Sequence, residues 1–189
     1  MSRELTPPSP GTIRTLEELL DAARVNSGSL TKLWNLSPRP VAERRKYPIK
    51  LTALEIGLLA QVLTSAPEAL FELVINQLIQ VREQELAEAG ADVAANTLKG
   101  LPAPSAPAHT IKEKTMEVLI DNNMDHWGGT KALRQLWDMH YNTVKDRIQH
   151  PGKLTVKEIY SLAQAIKVPP VDVFKLIIQQ LRDNKQLAR

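Results

Sequence analysis

The chain says one thing twice. Residues 50–61 read KLTALEIGLLAQ and residues 153–164 read KLTVKEIYSLAQ. Sliding residues 29–79 onto 132–182 needs no gap and pairs about 20 identical residues over the 51 positions. The matches include Leu30/Leu133, Leu33/Leu136, Trp34/Trp137, Val41/Val144, Arg44/Arg147, Pro48/Pro151, Ile56/Ile159, Phe71/Phe174 and Leu78/Leu181. Most are apolar, so what the copies share is a core. Upstream, LEELLD at 16–21 matches MEVLID at 116–121, with three extra residues in the second copy before the ungapped block. Each copy therefore spans roughly 70 residues, and whatever fold this chain adopts must be buildable twice from that length.

Within a copy the apolar spacing is helical. Thr52 and Thr155 each stand three residues before a glutamate, Glu55 and Glu158, the pattern of a capping box at a helix start. Val156, Ile159, Leu162, Ala163 and Ile166 then recur at intervals of three and four. The next helix begins near Pro67 or Pro170, where a missing N–H costs nothing, and Phe174, Ile177, Ile178 and Leu181 form its buried face. Leu16, Leu19, Leu20 and Ala23 mark a first helix, and Leu30, Leu33 and Trp34 a short second one. Val144 and Ile148 point a third inward, and in copy one Ser37 and Pro38 supply an N-cap and first position for the same helix. Five short helices per copy are expected, with no alternating strand pattern.

Composition bounds the rest. With 43% hydrophobic and 24% charged residues, the chain has enough apolar matter for a core in each half. It has no cysteine, which excludes disulfides and thiolate chemistry. The start MSRELTPPSPG lacks the features of a signal peptide and no apolar run nears 18 residues, so a cytoplasmic location and no membrane contact are expected. GLPAPSAPAH at 100–109 has three prolines and no periodicity, as a linker would, and the first ten residues read as a loose arm. The expected organisation is a first unit at 12–98 with an extended last helix, a Pro-rich linker at 99–109 and a second unit at 110–185. His109, His126, His140 and His150 have no metal-site spacing, and no phosphate loop, nucleophile elbow or paired carboxylates occur. An enzyme is not expected, nor any cofactor or metal.

The stretch GGTKALRQLWDMHYNTVKDRIQHPGKLT resembles the helix-turn-helix, loop and supporting helix of the lambda-repressor-like (Cro/Xre) family. The residues that carry the likeness are Leu133, Leu136 and Met139 around the turn, Asn142–Val144, and LTVKEIYSLAQAIKVPP after them. It covers about 70 residues of copy two, and copy one by internal homology. Where that family commonly places glycine in the turn, this chain has Asn35 and Asp138, residues that tolerate left-handed geometry better than most. The resemblance implies an all-α fold of two tandem five-helix domains and a DNA-binding surface on the third helix of each.

In copy two, burying Val144 and Ile148 leaves His140, Tyr141, Asn142, Thr143, Lys145, Asp146 and Gln149 facing outward. Asn and Gln suit adenine edges, Lys suits guanine, and Thr or Tyr suits phosphate or the thymine methyl. The resemblance places Tyr141, Asn142, Lys145 and Asp146 nearest the bases. Copy one has Pro38, Arg39, Ala42 and Glu43 at matching positions, and adds Arg45 and Lys46 beside Arg44 and Lys50. Residues 29–50 carry six basic side chains against one acid, whereas residues 54–95 carry seven acids against one arginine. One positive face against a negative remainder is the footprint of phosphate binding. The expected function is a bacterial or phage transcriptional regulator that binds double-stranded DNA, the second copy reading sequence and the first contacting either a partner or, through Arg39, Arg44, Arg45, Lys46 and Lys50, the backbone. The alternative is an adaptor whose partner is another protein or a second copy of the chain.

Overall fold

The computed structural model describes residues 15–89, 111–124 and 129–188, with side chains to residue 80 in the first segment. The Pro-rich stretch 99–109, the N-terminal arm, His109 and His126 lie outside these residues. Among the described residues the chain is all-α. Copy one comprises α1 (Leu16–Ala22), α2 (Ser27–Trp34), α3 (Pro38–Lys46), α4 (Ala53–Val62) and α5 (Pro67–Ala89). Copy two comprises α6 (Met116–Met124), α7 (Thr130–Trp137), α8 (Tyr141–Gln149), α9 (Val156–Ala165) and α10 (Pro170–Asp183). A single 3₁₀ turn, Pro48–Lys50 and Pro151–Lys153, precedes the fourth helix of each. No single described helix is long and apolar enough to cross a membrane.

Local chemistry explains the helix limits. Capping boxes open α1 at Thr15 and Glu18, α4 at Thr52 and Glu55, and α9 at Thr155 and Glu158. Each satisfies backbone donors that the first helical turn leaves orphaned. Ser37 occupies the N-cap of α3 with Pro38 after it, but its hydroxyl makes no capping bond, so proline's fixed φ starts that helix rather than the serine. Helices end without glycine: Arg24, Asn35, Thr64, Asp138, Lys167 and Lys185 all take positive φ. At each one the next N–H reaches back to a carbonyl five residues earlier, as Val25 does to Leu20 (2.8 Å) and Val168 to Ala163 (3.0 Å).

Buried side chains of both copies form one contiguous core. At its centre the Phe71 and Phe174 rings stack, 4.2 Å between centroids and 6° from parallel. Close by, the backbone just before α4 and the backbone just before α9 pair antiparallel. The Ala53 N–H donates to the Leu154 carbonyl (2.8 Å), and the Val156 N–H donates to the Leu51 carbonyl (2.9 Å). These are matched positions of the repeat exchanging matched bonds, the reciprocity of a two-fold interface. The same duplication holds inside each copy: the Leu16 N–H is received by the Gln77 side-chain carbonyl (3.2 Å), and the Met116 N–H by that of Gln180 (3.0 Å).

The symmetry fails at the C-terminus. After α10 the chain turns back at Lys185 and buries Leu187 against Gly57 of α4, while Gln61 donates to the Ala188 carbonyl (3.5 Å). Copy two has the buried Tyr160 where copy one has Gly57. A Cβ on Gly57 would stand 2.5 Å from Leu187 Cδ1. Alanine in a helix interior gains about 1 kcal/mol over glycine, whereas unseating a buried leucine loses about 1.5–3 kcal/mol. Gly57→Ala is therefore expected to destabilise the chain by about 1 kcal/mol and to stabilise it once Leu187→Ala has emptied the seat. Urea denaturation of the four proteins of that cycle measures both signs; stabilisation by Gly57→Ala in the parent would contradict the seat.

Candidate nucleic-acid interface

The surface around α8 is built from a tight turn, an inward anchor and an outward row. The turn joins α7 to α8 at Asp138, with φ 51° and ψ 53°, and its counterpart Asn35 has φ 51° and ψ 47°. Both helices close with the Met139 N–H on the Arg134 carbonyl and the Leu36 N–H on the Thr31 carbonyl, 3.1 Å each. Short polar side chains visit this left-handed region more readily than others, so the turn forms without a glycine.

A glutamate then fixes the angle of α8. The Glu158 carboxylate accepts from the Thr155 N–H (2.8 Å) and lies 3.5 Å from Arg147 Nε of α8, while its backbone carbonyl accepts from the indole N–H of Trp137 on α7 (3.2 Å). One residue ties the starts and flanks of three helices together. Copy one repeats the device: Glu55 takes the Thr52 N–H (2.9 Å), Arg44 Nε (2.8 Å) and, through its carbonyl, the Trp34 indole N–H (3.1 Å). Both tryptophans are accordingly buried packing residues. Burial pushes the Glu158 carboxyl above the ordinary carboxylate value, against the lowering pull of Thr155 and Arg147.

With Val144 buried and Arg147 and Ile148 half-buried beneath the helix, α8 presents Tyr141, Asn142, Thr143, Lys145 and Gln149 as exposed side chains, with His140 exposed just ahead of it. Asn142, Lys145 and Gln149 fall on one side at helical spacing. Asp146 is committed within the protein: Lys153 Nζ contacts both its carboxylate oxygens (2.7 and 3.0 Å), and His150 Nε2 lies 3.8 Å away. The hydrogen bond from Lys153 holds its carboxyl below the usual range. It braces the helix to the following turn more than it offers an acceptor to a ligand.

Copy one differs in what is free. Arg44 is turned back onto Glu55, and Arg45 donates to Ser27 (3.1 Å), Asp21 (3.3 Å) and Glu17 (3.4 Å) on α1 and α2. Lys50 pairs with Glu43, the counterpart of Lys153 with Asp146, and that hydrogen bond holds the Glu43 carboxyl below its usual range. Lys46 and Lys50 also lie over the exposed Tyr47 ring, 5.2 and 5.3 Å from its centroid. Of the five basic residues expected to touch backbone, Arg39, Arg44, Arg45, Lys46 and Lys50, only Arg39 and Lys46 are exposed and outside the ion pairs formed among the described residues. Counting charges by sign does not single out the clamp glutamates or the arginines they hold. Their signal is nevertheless present, because Arg44/Arg147 and Glu55/Glu158 are charged pairs identical in register.

No three His, Asp or Glu side chains among the described residues gather to hold a metal ion. Comparison with protein-family models, with curated proteins and with solved structures finds nothing that matches this chain.

Proposed function

We propose that the chain is a tandem pair of lambda-repressor-like helix-turn-helix domains that binds double-stranded DNA as a transcriptional regulator of bacterial or phage type, α8 reading sequence and α3 contacting backbone. The observation that carries this reading is the exposed row Asn142, Lys145, Gln149 on a helix whose inner side is locked by Val144 and by Arg147 on Glu158. Side chains of that length and donor pattern match base edges in a major groove, and a rigid support holds them at one angle. Arg39 and Lys46 of α3 supply exposed positive charge suited to phosphate, beside Pro38 and Ala42, whose side chains offer a base edge no hydrogen bond. An adaptor function draws on different facts, namely Pro38 and Ala42 in the outward row of copy one and the exposed Tyr47 and Val62.

The test is a mobility shift with randomised duplexes at two salt concentrations. Asn142→Ala with Lys145→Ala is expected to weaken the best site by about 1–3 kcal/mol for each base no longer read, while nonspecific binding falls little. Arg39→Ala with Lys46→Ala is expected to weaken all sequences alike and to reduce the slope of log affinity against log salt by about 0.9 for each phosphate no longer neutralised. All four residues are exposed, so circular dichroism should stay unchanged. Undiminished preference in the first variant, or a parent that binds no duplex, moves the adaptor reading ahead.

A further inference from the structure

A two-fold arrangement of like helices is ordinarily assembled from two chains, each of which then reads the same half of a palindromic site. Here both halves belong to one chain. The Ala53/Leu154 and Val156/Leu51 bonds and the Phe71/Phe174 stack relate copy one to copy two as partners across a dyad. The register that matches α4 with α9 and α5 with α10 matches α3 with α8 as well.

Between α3 and α8 the inner side is largely kept, with Arg45 in place of Ile148, and the outer row is changed throughout. Facing inward, Val41 matches Val144 and Arg44 on Glu55 matches Arg147 on Glu158. The bracing pair Glu43 with Lys50 matches Asp146 with Lys153. Facing outward, Arg39 stands against Asn142, Ala42 against Lys145 and Lys46 against Gln149, all exposed. The frame that positions the helices is kept twice, while the surface they present is kept once. Drift in a merely solvated face would not be expected to leave the bracing pairs on both helices in register.

Resting on the DNA-binding reading, we infer that one copy of this chain occupies a whole two-half duplex site by itself, and that the site is asymmetric: a sequence-defined half under α8 beside a half under α3 recognised only as double-helical backbone. The partner is a duplex of non-palindromic sequence, bound one to one.

The experiment is selection of duplexes from a randomised library by the full chain, followed by native mass spectrometry of the complex with the best sequence. The expected result is one chain per duplex, with base preference confined to one side and protection from hydroxyl radicals extending past it on the other. The variant Arg39→Asn, Ala42→Lys, Lys46→Gln gives copy one the outward row of copy two, and it is expected to select inverted repeats of the parent's half-site, still at one chain per duplex. Two parent chains per duplex on an inverted repeat would overturn the inference and leave DNA binding standing. So would protection that ends with the sequence-defined half, or a triple variant that still selects the parent's site. Absence of any duplex binding at low salt would remove the functional reading and the inference with it.

Discussion

Phe71→Ala is expected to remove about 3–5 kcal/mol of stability and to loosen both copies at once. The ring is fully buried and its nearest aromatic neighbour is its own counterpart, Phe174, stacked 4.2 Å away. Truncation leaves a cavity in the middle of the joint core and strips the Phe174 ring of its stacking partner, so α10 loses support as directly as α5 does. With total stabilities of about 5–15 kcal/mol usual for folded domains, that loss is a large fraction of the whole and would bring a chain at the lower end of the range near its midpoint. Hydrogen exchange gives the decisive pattern: amides in 67–80 and in 170–183 should lose protection together. A double cycle with Phe174→Ala should show a coupling of about 0.5–1.5 kcal/mol. Loosening limited to residues 15–89, with 129–188 as protected as before, would mean that the copies do not share a core.

Arg147→Met is expected to cost about 3 kcal/mol at neutral pH and clearly less in acid. Methionine preserves the packing of the stem but leaves the Glu158 carboxylate, whose side chain is 6% exposed, without its cation. In the parent, burial already raises the Glu158 carboxyl above its unfolded value. A carboxyl raised on folding binds its proton more readily in the native state, so the native state loses stability as pH climbs from the ordinary carboxylate range through the raised value. Removing Arg147 raises that value further and widens the window. Below it the carboxyl is neutral in both states and the missing cation matters little. Urea unfolding of parent and variant at about pH 4 and about pH 8 isolates the difference, because other titrating groups cancel between them. An equal loss at both pH values would show that the arginine acts through its packing alone. Glu158→Gln retains the capping box and should flatten the same pH dependence.

Different parts of this molecule are legible in the sequence to different degrees, for physical reasons. Apolar identities such as Leu30/Leu133 and Phe71/Phe174 declare the core, because burial tolerates few substitutions in a twice-built frame. Thr52 and Thr155 declare their helix starts, since a capping box is local chemistry. Helix ends are harder: Lys167, Thr64 and Lys185 adopt left-handed backbone where glycine would have announced the stop. Arg44 and Arg45 read as surface charge because a basic residue and its acidic partner lie up to 28 positions apart in the chain. The pairing of 51–53 with 154–156 uses main-chain atoms and so leaves no mark on residue type. Tight packing elsewhere does leave one: Gly152 stands where copy one has Ile49, and a Cβ on it would come within 2.8 Å of Leu181 Cδ2, just as Gly57 marks the seat of Leu187. On α8 the outward row follows from helical spacing, but the commitment of Asp146 to Lys153 shows only in the folded chain.

The two backbone bonds between matched segments also govern how the protein responds to its own abundance. Two separate chains joined through such a contact come apart on dilution, and the fraction assembled depends on how many are present. When one polypeptide carries both halves, each sees the other at an effective concentration of about millimolar order, whatever the number of molecules in the cell. Occupancy of a ligand that needs both halves then rises with the first power of protein level instead of the second. Under the one-to-one duplex binding inferred above, response to gene dosage is expected to be linear, without a threshold set by assembly of the two halves.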